Sequence, residues 1–224
     1  MKFENDTPRA ACATFLSILP LLIVPACIVD GQGLRGKDRS PRQLVLRAAI
    51  PLNEPSKEDS FQQDLELSAA HSSGNFHQDS NGFKTDYTMQ QASIAYRVSI
   101  APRDKIRLFG FLGVGVHDFV AEWDSSFRRR HTTDAFGVIA GVEGRWEAIP
   151  SLELYLRDSE MLLFQQTASS STFEAGLDYG ISKQLHLMLG FRSWTHRDST
   201  PLGLLGIENS VKAEGIFLGA SWRF

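Results

Sequence analysis

Twelve ionisable side chains in this 224-residue chain fall at alternate positions of otherwise apolar segments. They are Asp64, Glu66, Glu143, Glu153, Glu174 and Asp178, set against Arg97, Arg107, Arg145, Arg157, Arg192 and Arg223. Six acids facing six arginines suit bidentate guanidinium-carboxylate pairing, provided that the elements carrying them turn those faces together. A second set has the residue types of nucleophilic catalysis: His71, Ser72, Ser73, His77, Asp79 and Ser80 in one polar stretch, and His196 with Asp198 and Ser199 in another. A serine needs a base within hydrogen-bond reach to act as a nucleophile, and no fixed spacing here supports one, so no catalytic residue is assigned. His71 and His77 lack the spacing and partner cysteines of a metal site; no metal and no cofactor are expected. Arg128, Arg129, Arg130 and His131, following Phe127 and near Trp123, form either a solvated charge run or a surface for phosphate groups.

A net charge of -3 offers no electrostatic footprint for nucleic acid. Cys12 and Cys27 both precede residue 30, so the body has neither a disulfide framework nor a thiol cluster. The run from Ala10 to Val29 is the one long apolar stretch. With Lys2 and Arg9 before it, it reads as a secretory signal over residues 1–27, with Val24 to Cys27 loosely matching a lipobox. Residues 28–60 are rich in glycine, proline and charge and read as a periplasmic linker or extension. An apolar island, Leu44 to Ile50, interrupts them: an extra strand, a lumen-occupying peptide or an interfacial segment. Beyond residue 30 no apolar run reaches the roughly 20 residues of a spanning helix. Insertion of the body, residues 61–224, into a membrane therefore requires strands.

Counted back from the C-terminus, eight alternating segments appear, at 211–224, 185–196, 172–180, 151–163, 134–147, 105–118, 86–98 and about 62–71. Long connections (72–85, 119–133, 165–171, 197–210) alternate with short ones. One face collects Leu65, Leu67, Ala92, Ile94, Tyr96, Phe136, Val138, Val142, Trp146, Leu152, Leu154, Leu156, Phe173, Leu177, Tyr179, Leu187, Leu189 and Phe191. The other holds the charges, together with Gly137, Gly141, Gly176, Gly190, Gly215 and Gly219. Residues 105–118 resist the scheme, because Phe109 and Phe111 oppose Leu108, Leu112, Val114 and Val116. Asp158 falls on the apolar face, where its distance from Pro150 assigns it to the outer rim.

Ile216, Leu218, Ala220, Trp222 and Phe224 form an apolar face that ends the chain on an aromatic. With the strand count, this ending resembles the small outer-membrane β-barrels, the group of outer-membrane proteins A and X and the opacity adhesins. The resemblance implies an all-β, eight-stranded antiparallel up-and-down transmembrane β-barrel in the outer membrane of a Gram-negative bacterium, its N-terminus periplasmic. In that family the terminal residues Ile216 to Phe224 are read by the barrel assembly machinery. Charge and small residues fit a narrow lumen filled by side chains, so the expected interior is closed and not a wide pore. Tyr96, Trp146, Tyr179, Trp222 and Phe224 would form an inner aromatic girdle, with Phe136, Phe173 and Phe191 nearer the outer boundary.

The function implied is non-enzymatic: surface interaction or adhesion, or a membrane-structural role, with outer-membrane lipid and lipopolysaccharide as partners and a host or surface ligand open. The alternative is a lipid A-modifying enzyme. Lipid A deacylases resemble the chain in size and strand order, and their motif places a histidine two residues before the serine, followed by asparagine. His196 is followed by Arg197, Asp198 and Ser199 and does not match it. Lipid A palmitoyltransferases use a histidine, a serine and an aspartate on outer loops, for which the stretch from His71 to Ser80 offers only the residue types.

Overall fold

A strand whose alternate residues are apolar is stable where one face meets an apolar medium and the other a filled interior. Ten strands organise the described residues, the short β1 without that alternation: β1 (Arg35–Asp38), β2 (Arg42–Pro51), β3 (Gln63–His77), β4 (Lys84–Arg103), β5 (Ile106–Trp123), β6 (Arg129–Ile149), β7 (Leu152–Leu163), β8 (Thr167–Gly180), β9 (Leu185–Leu202) and β10 (Leu205–Arg223). The computed structural model describes residues 35–53, 61–77, 84–103, 105–123, 129–164, 167–202 and 205–224. The expected signal segment, both cysteines, Asp79, Ser80, Phe127 and Arg128 lie outside them. Among the described residues no helix is long and apolar enough to cross a membrane.

Strands β2 to β10 form one antiparallel meander, and β10 closes it by pairing in parallel with β2, Phe217 to Arg223 against Gln43 to Ala49. The expected eight antiparallel strands are thus corrected to nine in a closed, mixed barrel. The physical reason is the count itself: an odd meander brings its first and last strands together pointing the same way, so the seam must be parallel. Leu44 to Ile50 is the additional strand, and the linker reading fails over residues 35–51. β1 is a short tenth strand, also parallel to β10, with Arg35 to Asp38 opposite Ser210 to Ala213. Between β1 and β2 the chain jogs at Arg39 to Pro41, where Asp38 accepts a hydrogen bond from the Ser40 backbone at 2.9 Å. Because β1 and β2 run with β10, Arg35 lies at the end of the barrel opposite Phe224.

At the Phe224 end the connections are tight, as expected: β6 turns into β7 at Pro150 and Ser151, and β8 into β9 through residues 181–184. In the latter, Ser182 Oγ accepts from the Leu185 backbone at 2.9 Å. Register shifts near this end, at Ser99/Ala101 and Glu147/Ile149, are bulges. At the other end strand runs into each of the four expected long loops. β3 reaches His77, β5 reaches Trp123, and β9 and β10 pair from Ser210↔Arg197 up to Leu205↔Leu202. The backbone ladder pairs whether side chains are polar or not, so the sheet continues past the point where Ser193, Thr195 and Arg197 replace Leu187, Leu189 and Phe191.

The faces are inverted relative to a soluble barrel. Leu112, Leu156 and Leu218 are 61, 58 and 63 % exposed, whereas Arg97, Arg145 and Arg157 are 6, 5 and 5 % exposed. β5 fits once Phe109 and Phe111 are seen to point inward, at 1 and 5 % exposure. Room for Phe111 comes from glycine: a Cβ on Gly141 would lie 2.4 Å from its ring. Asp158 is not at the rim. It pairs in register with Val142 and Phe173, and β7 continues past it to the exposed Leu162, with the exposed Phe164 just after the strand.

Candidate functional site

Alternation delivers each charged residue to the lumen from a different strand, and there they form one lattice. Nearest Phe224, Arg223 donates to Glu153 at 2.7 Å and to Asp178 at 2.8 Å. Arg145 reaches the same two carboxylates at 2.8 and 2.7 Å, and Arg107 also pairs with Glu153. His186 adds a 2.9 Å contact to Asp178.

One layer further in, Glu143 is the hub: it accepts from Arg97 at 3.1 Å and Arg157 at 2.8 Å, and it also pairs with Arg145. Arg97 holds Asp64 at 2.7 Å, and Arg157 holds Glu66 at 2.6 Å. Above this, Arg47 pairs with Glu174, which also faces Arg192 at 3.6 Å.

Aromatic faces fill the gaps between the ions. Arg97 lies 4.4 Å over Phe109, Arg157 4.0 Å over Phe111 and Arg192 4.3 Å over Trp194. Tyr155 lies between Arg47 and Arg145. Arg97 and Arg157 are held in plane by carboxylates and capped on the face by a ring, whereas Arg47 and Arg192 each keep a buried Nε and Nη1 without a hydrogen-bond partner among the described residues. The internal cavity beside Arg47, Arg157, Glu174 and Arg192 has a volume of only about 20 Å³, roughly enough for a single water.

Beyond Trp194 the lumen changes character. Phe76, Tyr87, Met89, Phe119, Trp194 and Val211 pack together, all buried. His117 and His196 lie in the same layer, 3.1 Å apart and stacked on their neighbours. Trp194 donates to Ser170 at 2.6 Å, and Tyr87 donates to Asp38 at 2.9 Å.

All the residues read from the sequence as a lumen network (Glu66, Arg97, Arg107, Glu143, Arg145, Glu153, Arg157, Glu174, Asp178, Arg192 and Arg223) come together here, with Asp64. Arg47 was missed; its signal is the same alternation within residues 43–49, where Gln43, Val45, Arg47 and Ala49 share a face. The aromatic layer was also missed, although Trp194, His196 and Asp198 continue the parity of Arg192. His196 is fully enclosed in the lumen. Among the described residues no group of histidine, cysteine, aspartate and glutamate forms a metal site.

The outer wall is apolar up to a polar fringe. Ile216, Leu218, Ala220, Trp222 and Phe224 follow one another on it, with the last two rings 6.3 Å apart. Tyr96, Trp146 and Tyr179 face outward as well, as do Phe136, Phe173 and Phe191, all exposed. Above the band on the β1 side, Lys37 and Lys212 both pair with Glu214. Arg130, in strand and not in a loop, approaches Glu122 at 3.9 Å. His71 and Ser73, two residues apart on the outward face of β3, are within 3.3 Å of each other, whereas Ser72 points into the lumen and is fully buried.

A family model described as outer membrane protein beta-barrel domain matches residues 30–224. No curated protein and no solved structure matches the chain. The match begins ahead of β1 and so takes in the parallel closing strand that the structure adds to the eight. With greasy residues outside, ions inside and the wall closed on itself, the chain belongs to the outer membrane protein beta-barrel domain family.

Proposed function

We propose that this protein is a non-conducting outer-membrane barrel that acts from its wall and its outer end, in surface interaction or membrane structure, and not through its lumen. The observation that carries this reading is the filled interior. An ionic lattice spans the barrel from Arg223 to Arg192, an aromatic layer follows from Trp194 to Phe76, and the internal cavity beside Arg47 measures about 20 Å³. A solute path would have to break several buried ion pairs together, each costing several kcal/mol when left unmatched. The lumen offers a substrate no entry, so its role is structural and non-enzymatic.

Phe224 is assigned to the periplasmic mouth, where Ile216 to Phe224 would serve the assembly machinery. Arg35 is then at the outer end. The periplasmic N-terminus implied by the eight-stranded resemblance does not carry over to nine strands, whose first strand starts at the end opposite Phe224. Lipopolysaccharide is the partner suited to the cationic fringe of Lys37, Arg42, Arg197 and Lys212, since phosphate groups lie at that level and both lysine and arginine bind them. Planar-bilayer recording of the folded protein tests the closed lumen: the expected result is no steady conductance, and stable single-channel steps would overturn the proposal.

A further inference from the structure

The outward face of β7 runs Leu152, Leu154, Leu156, Asp158, Glu160 and Leu162, with Phe164 just after the strand. Two exposed acids thus stand next to each other in the middle of an apolar series, with lipid-facing residues before and after them. Asp158 lies in register between Val142 and Phe173, and Glu160 between Ala140 and Ser171, so neither has a basic neighbour across the sheet. Hydrocarbon offers a carboxyl group no hydrogen-bond partner, and an ionisable residue at that depth points to a specific one. The wall around the acids is also dented. A groove of about 620 Å³ beside them is lined by Gly110, Ala140 and Val142, and a second of about 480 Å³, nearer the Phe224 end, by Gly144, Ala175 and Leu156. Val142 at the first groove and Leu156 at the second are each 58 % exposed. Association within lipid has no hydrophobic drive and depends on close approach at small residues and on hydrogen bonds; this face supplies both.

We infer that the wall formed by β5 to β8 is a homodimer interface, in which Asp158 and Glu160 of two copies pair across a two-fold axis parallel to the membrane normal. Rotation about that axis leaves depth unchanged, so the acids of one copy meet those of the other at the same level. No cationic partner is then required. A carboxyl group can donate its O–H to a second carboxyl group and accept from it in return, and a two-fold contact makes every such pairing reciprocal. Shape is self-complementary in the same way, since the ridges at Val142 and Leu156 of each copy face the grooves at Gly110 and Gly144 of the other. The acids cost the isolated barrel stability and find a partner only in the dimer, which accounts for their place on a wall otherwise lined by leucine, valine and phenylalanine. This interface gives a partner to the wall-acting part of the proposed function and rests on it. Conductance tests the lumen alone, so either can fail without the other.

The test is sedimentation equilibrium of the full-length folded protein in density-matched detergent micelles, where the wild type should distribute between monomer and dimer. The double variant Asp158→Leu/Glu160→Leu removes only unfavourable groups from the wall of the isolated barrel, yet it should self-associate about 10-fold more weakly or worse. Asp158→Asn/Glu160→Gln, whose amides also donate and accept, should stay within about 3-fold of the wild type. Heat-modifiable gel migration checks that each variant is folded. In lipid vesicles, with Cys12 and Cys27 replaced by serine, double electron-electron resonance locates the contact. Nitroxides at Ala140→Cys should lie closer together between copies than nitroxides at Leu67→Cys, on β3 across the barrel from β7. A folded wild type that is monomeric at every concentration would overturn the inference. So would undiminished association of the leucine variant, an amide variant as weak as the leucine one, or a shorter distance at Leu67 than at Ala140.

Discussion

The two halves of the lumen are filled by different means. Towards Phe224 the filling is ionic, with Glu143 shared among Arg97, Arg145 and Arg157. Towards the hairpin ends it is aromatic, with Trp194, Phe119 and Met89 fully buried. Ions hold position through partners from several strands, so each pair fixes register as well as filling space. Rings and thioethers fill volume without demanding a partner, and they fail by leaving a hole. The ionic half is therefore intolerant of single deletions, whereas the aromatic half weakens in proportion to the volume lost.

Variants can sharpen or break this contrast. Glu143→Ala leaves three buried guanidinium groups each one carboxylate short and should lose about 5 kcal/mol, the upper end of the range for breaking a buried pair, because three are broken together; urea unfolding in lipid vesicles measures it. Met89→Ala in the aromatic half should lose about 3 kcal/mol in the same assay, through a cavity. If Met89→Ala costs more than Glu143→Ala, the assignment of roles to the two halves is wrong.

The third variant reverses the sign of a carboxylate. Asp158 lies on the lipid-facing wall between Val142 and Phe173, beside an open groove of about 620 Å³ lined by Gly110, Ala140 and Glu160. A charge there is unfavourable, less so for an acid than the ~2–4 kcal/mol of a lysine or arginine at midplane. Asp158→Leu should therefore stabilise the barrel by about 1–2 kcal/mol on that basis. A carboxylate inside the barrel and one on its wall would then have opposite effects on the same unfolding curve. The smallest change belongs to the outer fringe. Glu214→Ala removes two exposed lysine contacts and should shift stability by less than about 1 kcal/mol, with the difference vanishing in high salt.

Much of this architecture was legible in the sequence because period-two alternation needs no partner to be recognised. The lumen carboxylates and arginines, the outward leucines of β7 and β9, and the short turns at Pro150 and Ser182 all follow from local pattern. The strand ends did not, since apolar content marks the lipid band and not the extent of the ladder. β8 begins at Thr167 on a run of serines, and β9 continues to Leu202.

β2 was obscured by its glycine-rich and charged flanks, and its partner β10 is far away in sequence. No turn signal announces a seam between Val45 and Gly219. Phe109 and Phe111 looked misplaced because the guanidinium groups that cover them come from β4 and β7. The pairing of His71 with Ser73 was hidden for a simpler reason. The stretch read as loop, where residues two apart share no face, whereas in β3 they must.

The central claim is that alternate residues of each strand meet hydrocarbon and a dry, ion-paired interior. A nitroxide scan along residues 215–222 of β10 in lipid vesicles, read by collision with oxygen and with a water-soluble nickel chelate, tests it most directly. The account predicts high oxygen access at Ile216, Leu218 and Ala220, and low access to both reagents at Phe217, Gly219 and Ser221. Nickel access at Ile216 and Leu218, or oxygen access without a period of two, would contradict it.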